Sequence, residues 1–151
     1  MPTLPGGGET MSYVTYDDIE RRLGTGAYVQ LTDDAGSGAA DAAVIDEARC
    51  GAEGEVDSYL ALRYAVPVDT AAQPETAAVL RTVTLDLVEY RLHARRPPVP
   101  PAVAERHDAA VRWLQRVGAG QADLPFSPQP GFRAAATGSA RVLSRDSLRE
   151  Y

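Results

Sequence analysis

The stretch PETAAVLRTVTLDLVEYRLHARR, residues 74–96, carries the clearest helical pattern in the chain. Its apolar residues recur three and four positions apart, as on the buried face of an amphipathic α-helix. Pro74 and Glu75 suit a first helical turn, where proline's missing N–H is harmless and a carboxylate favours the positive end of the helix dipole. The helix is expected to stop before Pro97. The pattern is formed by Val79, Leu80, Val83, Leu87, Val88, Arg91 and Leu92.

Two further helices are predicted on the N-terminal side of this stretch. Thr15 can accept a hydrogen bond from an amide of the first turn of a short helix, and Gly24 is a typical residue at its end. Tyr28–Leu31 forms only a brief apolar stretch before a loop. A longer helix is expected to start near residue 40 or 41 and to run to about Tyr64, because apolar residues again follow helical spacing.

A fourth helix is predicted on the C-terminal side, from around Pro101 to Gly118, after a stiff proline-rich connection. From Asp123 onward the periodicity is lost. The sequence therefore predicts an all-α fold with a four-helix body, one short and three longer helices. We expect residues 1–11 to be a disordered leader, residues 12–124 the helical domain, and residues 125–151 an extended C-terminal docking tail.

Composition and charge limit the class of protein. A chain of 151 residues corresponds to one domain, and its single cysteine cannot form an internal disulfide. No secretion signal or membrane-spanning stretch is recognisable, so no membrane partner is expected. The net charge is −6, divided into −8 for residues 1–125 and +2 for residues 126–151. An acidic body argues against a general nucleic-acid binder.

No catalytic, metal or cofactor-binding motif is present, and we expect a protein without enzymatic activity or cofactor. Asp86, Glu89 and His93 lie three and four residues apart and could share one face of a helix. A metal site usually draws ligands from several elements, so the favoured interpretation is a Glu–His pair beside solvent. His107 is interpreted as a core or rim histidine, and Cys50 as an inert packing residue.

Two groups of residues are candidates for contacts between subunits. Gly51 and Gly54 lie inside the second predicted helix, where they could mark a kink or a surface that another helix approaches closely. Arg91, Arg95 and Arg96 lie near the end of the third helix. They could bind a partner, although arginines at that position more often complement the negative end of the helix dipole.

The C-terminal segment is the third candidate surface. Residues 126–139 contain prolines and glycines that prevent a stable helix or strand, and the residues after them mix apolar side chains with arginines. This composition offers more anchors than a solvated tail needs, which favours a segment that becomes ordered on a partner. The predicted docking residues are Arg141, Val142, Leu143, Ser144, Arg145, Leu148, Arg149 and Tyr151.

Six segments of the sequence, taken in order, resemble the Mu-like phage Gp36 family. The resemblance covers about Met11 to Tyr151 and rests on the order and spacing of the segments rather than on any single motif. The N-terminal leader and much of residues 128–139 lie outside the pattern. The similar segments are MSYVTYDDI (11–19) with VQLTD (29–33), VDSYLALRYAVP (56–67), DLVEYRL (86–92), WLQRVGAG (113–120) and RVLSRDSLR (141–149).

The resemblance implies a helical head–tail connector, or adaptor, of a tailed bacteriophage or prophage. Such proteins form a homo-oligomeric ring, commonly twelvefold, that binds the portal protein and the next neck protein. DNA passes through the channel without specific binding, and neither enzymatic activity nor a cofactor is implied. The expected location is the neck of the virion, after assembly in the bacterial host cytoplasm.

Three alternatives remain open on the sequence. A stopper or tail-terminator protein would also belong to the neck, but such proteins are generally richer in strands. A small metal-dependent enzyme would use Asp86, Glu89 and His93. A DNA-binding regulator is disfavoured by the acidic body.

Overall fold

The computed structural model describes residues 12–126. Within this range the chain forms five helices and no strand, which confirms the all-α prediction. The predicted leader and nearly all of the predicted tail lie outside the described residues. The helices are α1 (Tyr16–Leu23), α2 (Thr25–Thr32), α3 (Ala42–Leu60), α4 (Pro74–Ala94) and α5 (Pro101–Gly118).

The described residues form one helix more than the four expected. The additional helix is α2, which contains the Tyr28–Leu31 stretch that was not predicted to be helical. Gly24 has a φ of +82°, a value that glycine adopts readily. Its N–H donates to the Glu20 carbonyl at 2.7 Å, and its own carbonyl accepts from the Tyr28 N–H at 2.9 Å. One glycine therefore ends α1 and begins α2. Because α2 buries Tyr28 and Leu31, packing supplies the stability that a short glycine-containing sequence lacks.

The predicted helix starts are confirmed. Thr15 Oγ1 accepts from the Asp18 N–H at 3.2 Å, and Asp18 returns the contact by accepting from the Thr15 N–H at 3.0 Å. Asp41 caps α3 through the Ala43 N–H at 2.8 Å. α4 and α5 each begin with a proline at the first position. Helix α3 ends at Leu60, four residues before the expected Tyr64, and a turn follows it.

Helix α4 is the centre of the body and contacts each of the other four helices. This position explains why its apolar pattern is the clearest in the sequence, because a helix covered on several sides needs a wide apolar surface. α3 and α5 pack on α4 and on each other, while α1 and α2 cover its remaining side. The fully buried side chains include Ile19, Val56, Leu60, Tyr64, Leu80, Leu87, Val88, Leu92, Leu114 and Val117.

Two tyrosine hydroxyls fix the ends of the described chain beside the α3–α4 connection, residues 61–73. The Tyr13 hydroxyl donates to Asp57 and accepts from the Val68 N–H at 2.9 Å. The Tyr64 hydroxyl accepts from the Leu124 N–H at 3.0 Å. The incoming segment is also bound to α3, because the Tyr13 N–H donates to Glu53 at 2.9 Å. These bonds place both chain ends on the same part of the body.

Candidate interaction surfaces

Four charged side chains meet where α1 and α5 cross α4, and we call Arg22, Asp86, Glu89 and Arg106 the junction cluster. Glu89 is only 8% exposed. It accepts from Arg22 Nε at 3.2 Å and from Arg106 Nη2 at 2.9 Å. Asp86 forms a second ion pair with Arg22. The cluster therefore ties α1 and α5 to the central helix.

The expected Glu89–His93 pair beside solvent is wrong. Glu89 points to the arginines of α1 and α5, and these provide stronger, charge-assisted hydrogen bonds than a neutral histidine. Burial raises the pKa of Asp86, and this effect outweighs the lowering by Arg22 and Arg106. No group of three His, Cys, Asp or Glu side chains within residues 12–126 is placed to hold a metal ion.

A second charged group, the α4-end cluster, consists of Asp34, Arg95 and Arg96. Arg95 Nη1 donates to the Leu31 carbonyl at 2.7 Å, and Arg96 Nη2 donates to Asp34 at 3.0 Å. Arg95 also pairs with Asp34. Hydrogen bonds from Arg96 and Arg95 hold the pKa of Asp34 below its usual range.

The α4-end cluster changes the interpretation of these arginines. They bind the C-terminal end of α2 and the following loop, rather than only complementing the end of their own helix. Arg91 is likewise held within the chain, by Glu55 at 2.8 Å. A role for Arg91, Arg95 and Arg96 between subunits stays a prediction.

The two glycines of α3 face different surroundings. A Cβ atom at Gly51 would lie 2.9 Å from Arg91 Nη1, whereas a Cβ atom at Gly54 would meet nothing within 4 Å. The close approach at Gly51 is therefore made by a side chain of α4, and Gly54 is open. α3 continues unbroken through both positions. Their use at a subunit interface stays a prediction.

A groove of about 510 Å³ lies between α3, α4 and α5. At its rim the His107 ring stacks on Tyr90, with centroids 3.9 Å apart and planes 21° apart. His107 is partly buried, which confirms the rim interpretation. Cys50 on α3 is exposed, so the expectation of a packing cysteine is wrong. At about 100° per residue, Cys50 lies on the side of α3 that faces away from its buried stripe.

A second, apolar groove of about 450 Å³ lies between α4 and α5, and we call it the α4–α5 groove. Its lining is Ala78, Val79, Thr82, Val83 and Trp113. Val79 belongs to the predicted apolar pattern of α4, yet it is 38% exposed here. An apolar side chain left open in a concave surface is typical of an interaction site.

Several residues of these surfaces carry no local signal in the sequence. Arg22 and Arg106 lie 64 and 17 residues from their acidic partners, and no local spacing connects them. The sequence does offer one indication of the junction cluster. Asp86 and Glu89 lie beside the apolar face of the predicted 74–96 helix, and a carboxylate in such a position needs a cationic partner. The predicted tail residues, Arg141–Tyr151, lie outside the described residues.

Comparison with known proteins identifies the family. The model of the family described as bacteriophage Mu, Gp36 matches residues 13–142. The chain belongs to the bacteriophage Mu Gp36 family. This result confirms the resemblance found in the sequence, and it makes the chain a phage structural protein. No curated protein matches the sequence. In the described part of this Gp36-family protein, no helix has the length and apolar character of a membrane span.

Proposed function

We propose that this Gp36-family protein is a head–tail connector subunit without enzymatic activity. Copies of it, commonly twelve in such connectors, form a ring that joins the portal protein to the next neck protein and leaves a channel for DNA. The observation that carries the proposal is the family match over residues 13–142 on an all-helical body. Absence of strands from residues 12–126 favours a connector over the strand-richer stopper and tail-terminator proteins.

The position of the chain's exit supports a tail that reaches a partner. Leu124 is anchored to Tyr64, and the Phe126 ring lies 5.2 Å from the Tyr64 ring. Residues 127–140 separate this anchor from Arg141. Fourteen extended residues span at most about 45–50 Å. Residues 141–151 could therefore contact a partner that lies up to this distance from the anchor.

The charge of the body is compatible with a DNA channel. Residues 12–126 contain eighteen carboxylates and eleven arginines, a net charge of −7. A lumen lined by carboxylates would repel the phosphates of passing DNA and prevent adhesion. If the carboxylates of the assembled ring lay mainly on its outer wall, this part of the proposal would be wrong.

Deletion of residues 141–151 tests the docking role of the tail. The shortened protein should keep its helical circular dichroism spectrum and lose binding to portal rings in electron micrographs. A matched variant that lacks residues 2–10 should fold and bind portal rings as the full chain does. Unchanged portal binding by the tail deletion would contradict the docking role, and a lack of ring formation by the full chain with portal would contradict the connector function.

A further inference from the structure

Two exposed apolar sites lie on different parts of the body. Leu62 and Val66, in the α3–α4 connection, are 69% and 36% exposed, and together we call them the knob. Val79, in the α4–α5 groove, is 38% exposed. Leaving a leucine two-thirds in water forgoes about 1–2 kcal/mol of burial. The body thus presents a projecting apolar site and a concave one.

Two arginines without an ion-pair partner among the described residues lie beside the α4–α5 groove. Nine of the eleven arginines in residues 12–126 have a carboxylate within 4.0 Å. Arg112 and Arg116 have none among the described residues, although carboxylates outnumber arginines there. They lie one turn apart on α5, and helical geometry places both beside Trp113, on the side that faces away from the buried stripe of α5. The apolar groove therefore has a cationic border.

The surroundings of the knob carry the opposite charge. Three carboxylates lie in or beside the α3–α4 connection that carries the knob. Asp57 is linked to Val68 through the Tyr13 hydroxyl, Asp123 is paired with Arg63, and the exposed Asp69 lies three residues after Val66. Together with Arg63 they give this region a net charge of −2. The C-terminal tail is arginine-rich, with a net charge of +2 over residues 126–151, and so it would be repelled by Arg112 and Arg116. Charge complementarity thus favours the knob region over the tail as the occupant of the groove.

The knob and the groove lie on opposite flanks of α5, so one chain cannot bring them together. A Cβ atom at Gly118 would lie 3.0 Å from Leu62 Cδ1, which places the knob on the α3 side of α5. Trp113 lines the groove on the α4 side. At about 100° per residue, Trp113 and Gly118 are about 140° apart around the helix, with the buried stripe between them.

We propose that the knob of one copy inserts into the α4–α5 groove of the next copy. Leu62 and Val66 would then cover Val79 and Trp113, while Arg112 and Arg116 face the carboxylates around the knob. Because two different surfaces meet, the contact is heterologous and continues from copy to copy until a ring closes. This inference rests on the proposed ring and assigns its subunit interface.

Directed cross-linking in the assembled ring tests the contact. Cys50→Ser removes the exposed native thiol, and Leu62→Cys and Val79→Cys are then introduced into separate full-length chains. Equimolar mixtures are assembled with portal rings, imaged by electron microscopy and treated with a short bifunctional maleimide. The mixed sample should give covalent dimers, and each single variant alone should give none. A mixture of Val79→Cys with Ala35→Cys, an exposed position on the α2–α3 loop, is the matched control and should give none.

The possible outcomes distinguish a wrong subunit interface from a wrong connector function. Rings on the portal without dimers from the Leu62→Cys and Val79→Cys mixture would overturn the interface and leave the connector function intact. Dimers of Leu62→Cys with itself, or a Val79→Cys product linked to the portal protein, would overturn it as well. If no ring forms with any chain, both the connector function and the interface are wrong.

Charge reversal provides a second test. Arg112→Glu combined with Arg116→Glu should reduce ring formation at least tenfold and leave the helical spectrum unchanged. Arg21→Glu, an exposed arginine on α1, is the matched control and should assemble normally. Normal assembly of the double variant would contradict a role for this border in the interface.

Discussion

The junction cluster and the α4-end cluster use the same chemistry in different solvent environments. In each, two arginines share a carboxylate from another segment. The side chains of Glu89 and Asp86 are 10% and 13% exposed, whereas that of Asp34 is 51% exposed. A shielded carboxylate cannot exchange its arginine for water, so the junction constrains the positions of three helices. The exposed cluster only holds a loop against the end of α4.

The carboxyl pKa values show the same contrast. Burial raises the pKa of Asp86 although two arginines lie close to it. Hydrogen bonds from Arg96 and Arg95 lower the pKa of Asp34. Desolvation therefore outweighs the attraction of the cations at the junction, and it is weaker than that attraction at the end of α4.

Removal of the shared carboxylate should produce the largest difference in the free energy of unfolding between the two clusters. Glu89→Ala removes the carboxylate that Arg22 and Arg106 share and leaves them with Asp86, which should lower the free energy of unfolding by about 1–2 kcal/mol. Asp34→Ala should change it little, because water replaces the carboxylate. Urea unfolding followed by circular dichroism measures both. Equal losses for the two variants would show that burial does not distinguish the clusters.

Double-mutant cycles should give a smaller but more specific difference. The coupling between Arg22 and Glu89, obtained from Arg22→Ala, Glu89→Ala and the double variant, is expected to be about 1 kcal/mol, because each side chain keeps a second partner in the cluster. The corresponding cycle for Arg96 and Asp34 should give a smaller coupling, because both side chains are open to water. A coupling near zero at the junction would mean that Glu89→Ala acts through lost packing alone.

The dependence of stability on pH should have opposite signs at the two sites. The folded pKa of Asp34 is lowered, so its contribution is present above the unfolded pKa of about 3.9 and is lost as pH falls through the folded value. The folded pKa of Asp86 is raised, so its contribution is present below about 3.9 and is lost as pH rises through the folded value. The variants Asp34→Asn and Asp86→Asn should reveal these trends in urea unfolding between pH 3 and pH 7.

The expected curves follow directly from those signs. As pH rises, Asp34→Asn should become less stable relative to the unmodified protein, while Asp86→Asn should become more stable relative to it. Parallel curves for the two variants would exclude opposite pKa shifts.

A change in salt concentration should produce the smallest difference in stability between the two clusters. Raising NaCl from 0.1 to 1 M shortens the Debye length from about 10 to about 3 Å. The stability difference between the unmodified protein and Asp34→Asn should therefore shrink at high salt, and the difference for Glu89→Ala should hardly change. A strong salt dependence of the Glu89→Ala difference would show that the junction is open to ions.

Most helices could be predicted because their ends carry local chemical signals. Thr15 with Asp18, Pro74 and Pro101 define helix starts whatever surrounds them. α2 could not be predicted in this way, since Gly24 and Gly26 suggest a turn and the helix depends on burying Tyr28 and Leu31. Its existence is a property of the packed body rather than of the segment.

Sequence patterns could not show which distant residues pair with one another in the candidate sites. The helical spacing of Glu89 and His93 is real, but the choice of partner depends on where α1 and α5 cross α4. For the same reason, the spacing could not show that Arg95 binds the end of α2 or that Val79 remains open. The family and the helical class were recognisable because they rest on order and spacing along the chain.

The two tyrosine anchors give the subunit a direction. Tyr13 and Tyr64 hold the incoming and outgoing segments beside the α3–α4 connection, at the end of the body where α4 begins. The α2–α3 loop is fastened to the other end of α4, and a helix of 21 residues separates the two poles by about 30 Å. The chain therefore enters and leaves the described body at the same pole. In the proposed stack of neck rings, the other pole would be available to the next layer, so that a single chain would distinguish the layer above it from the layer below.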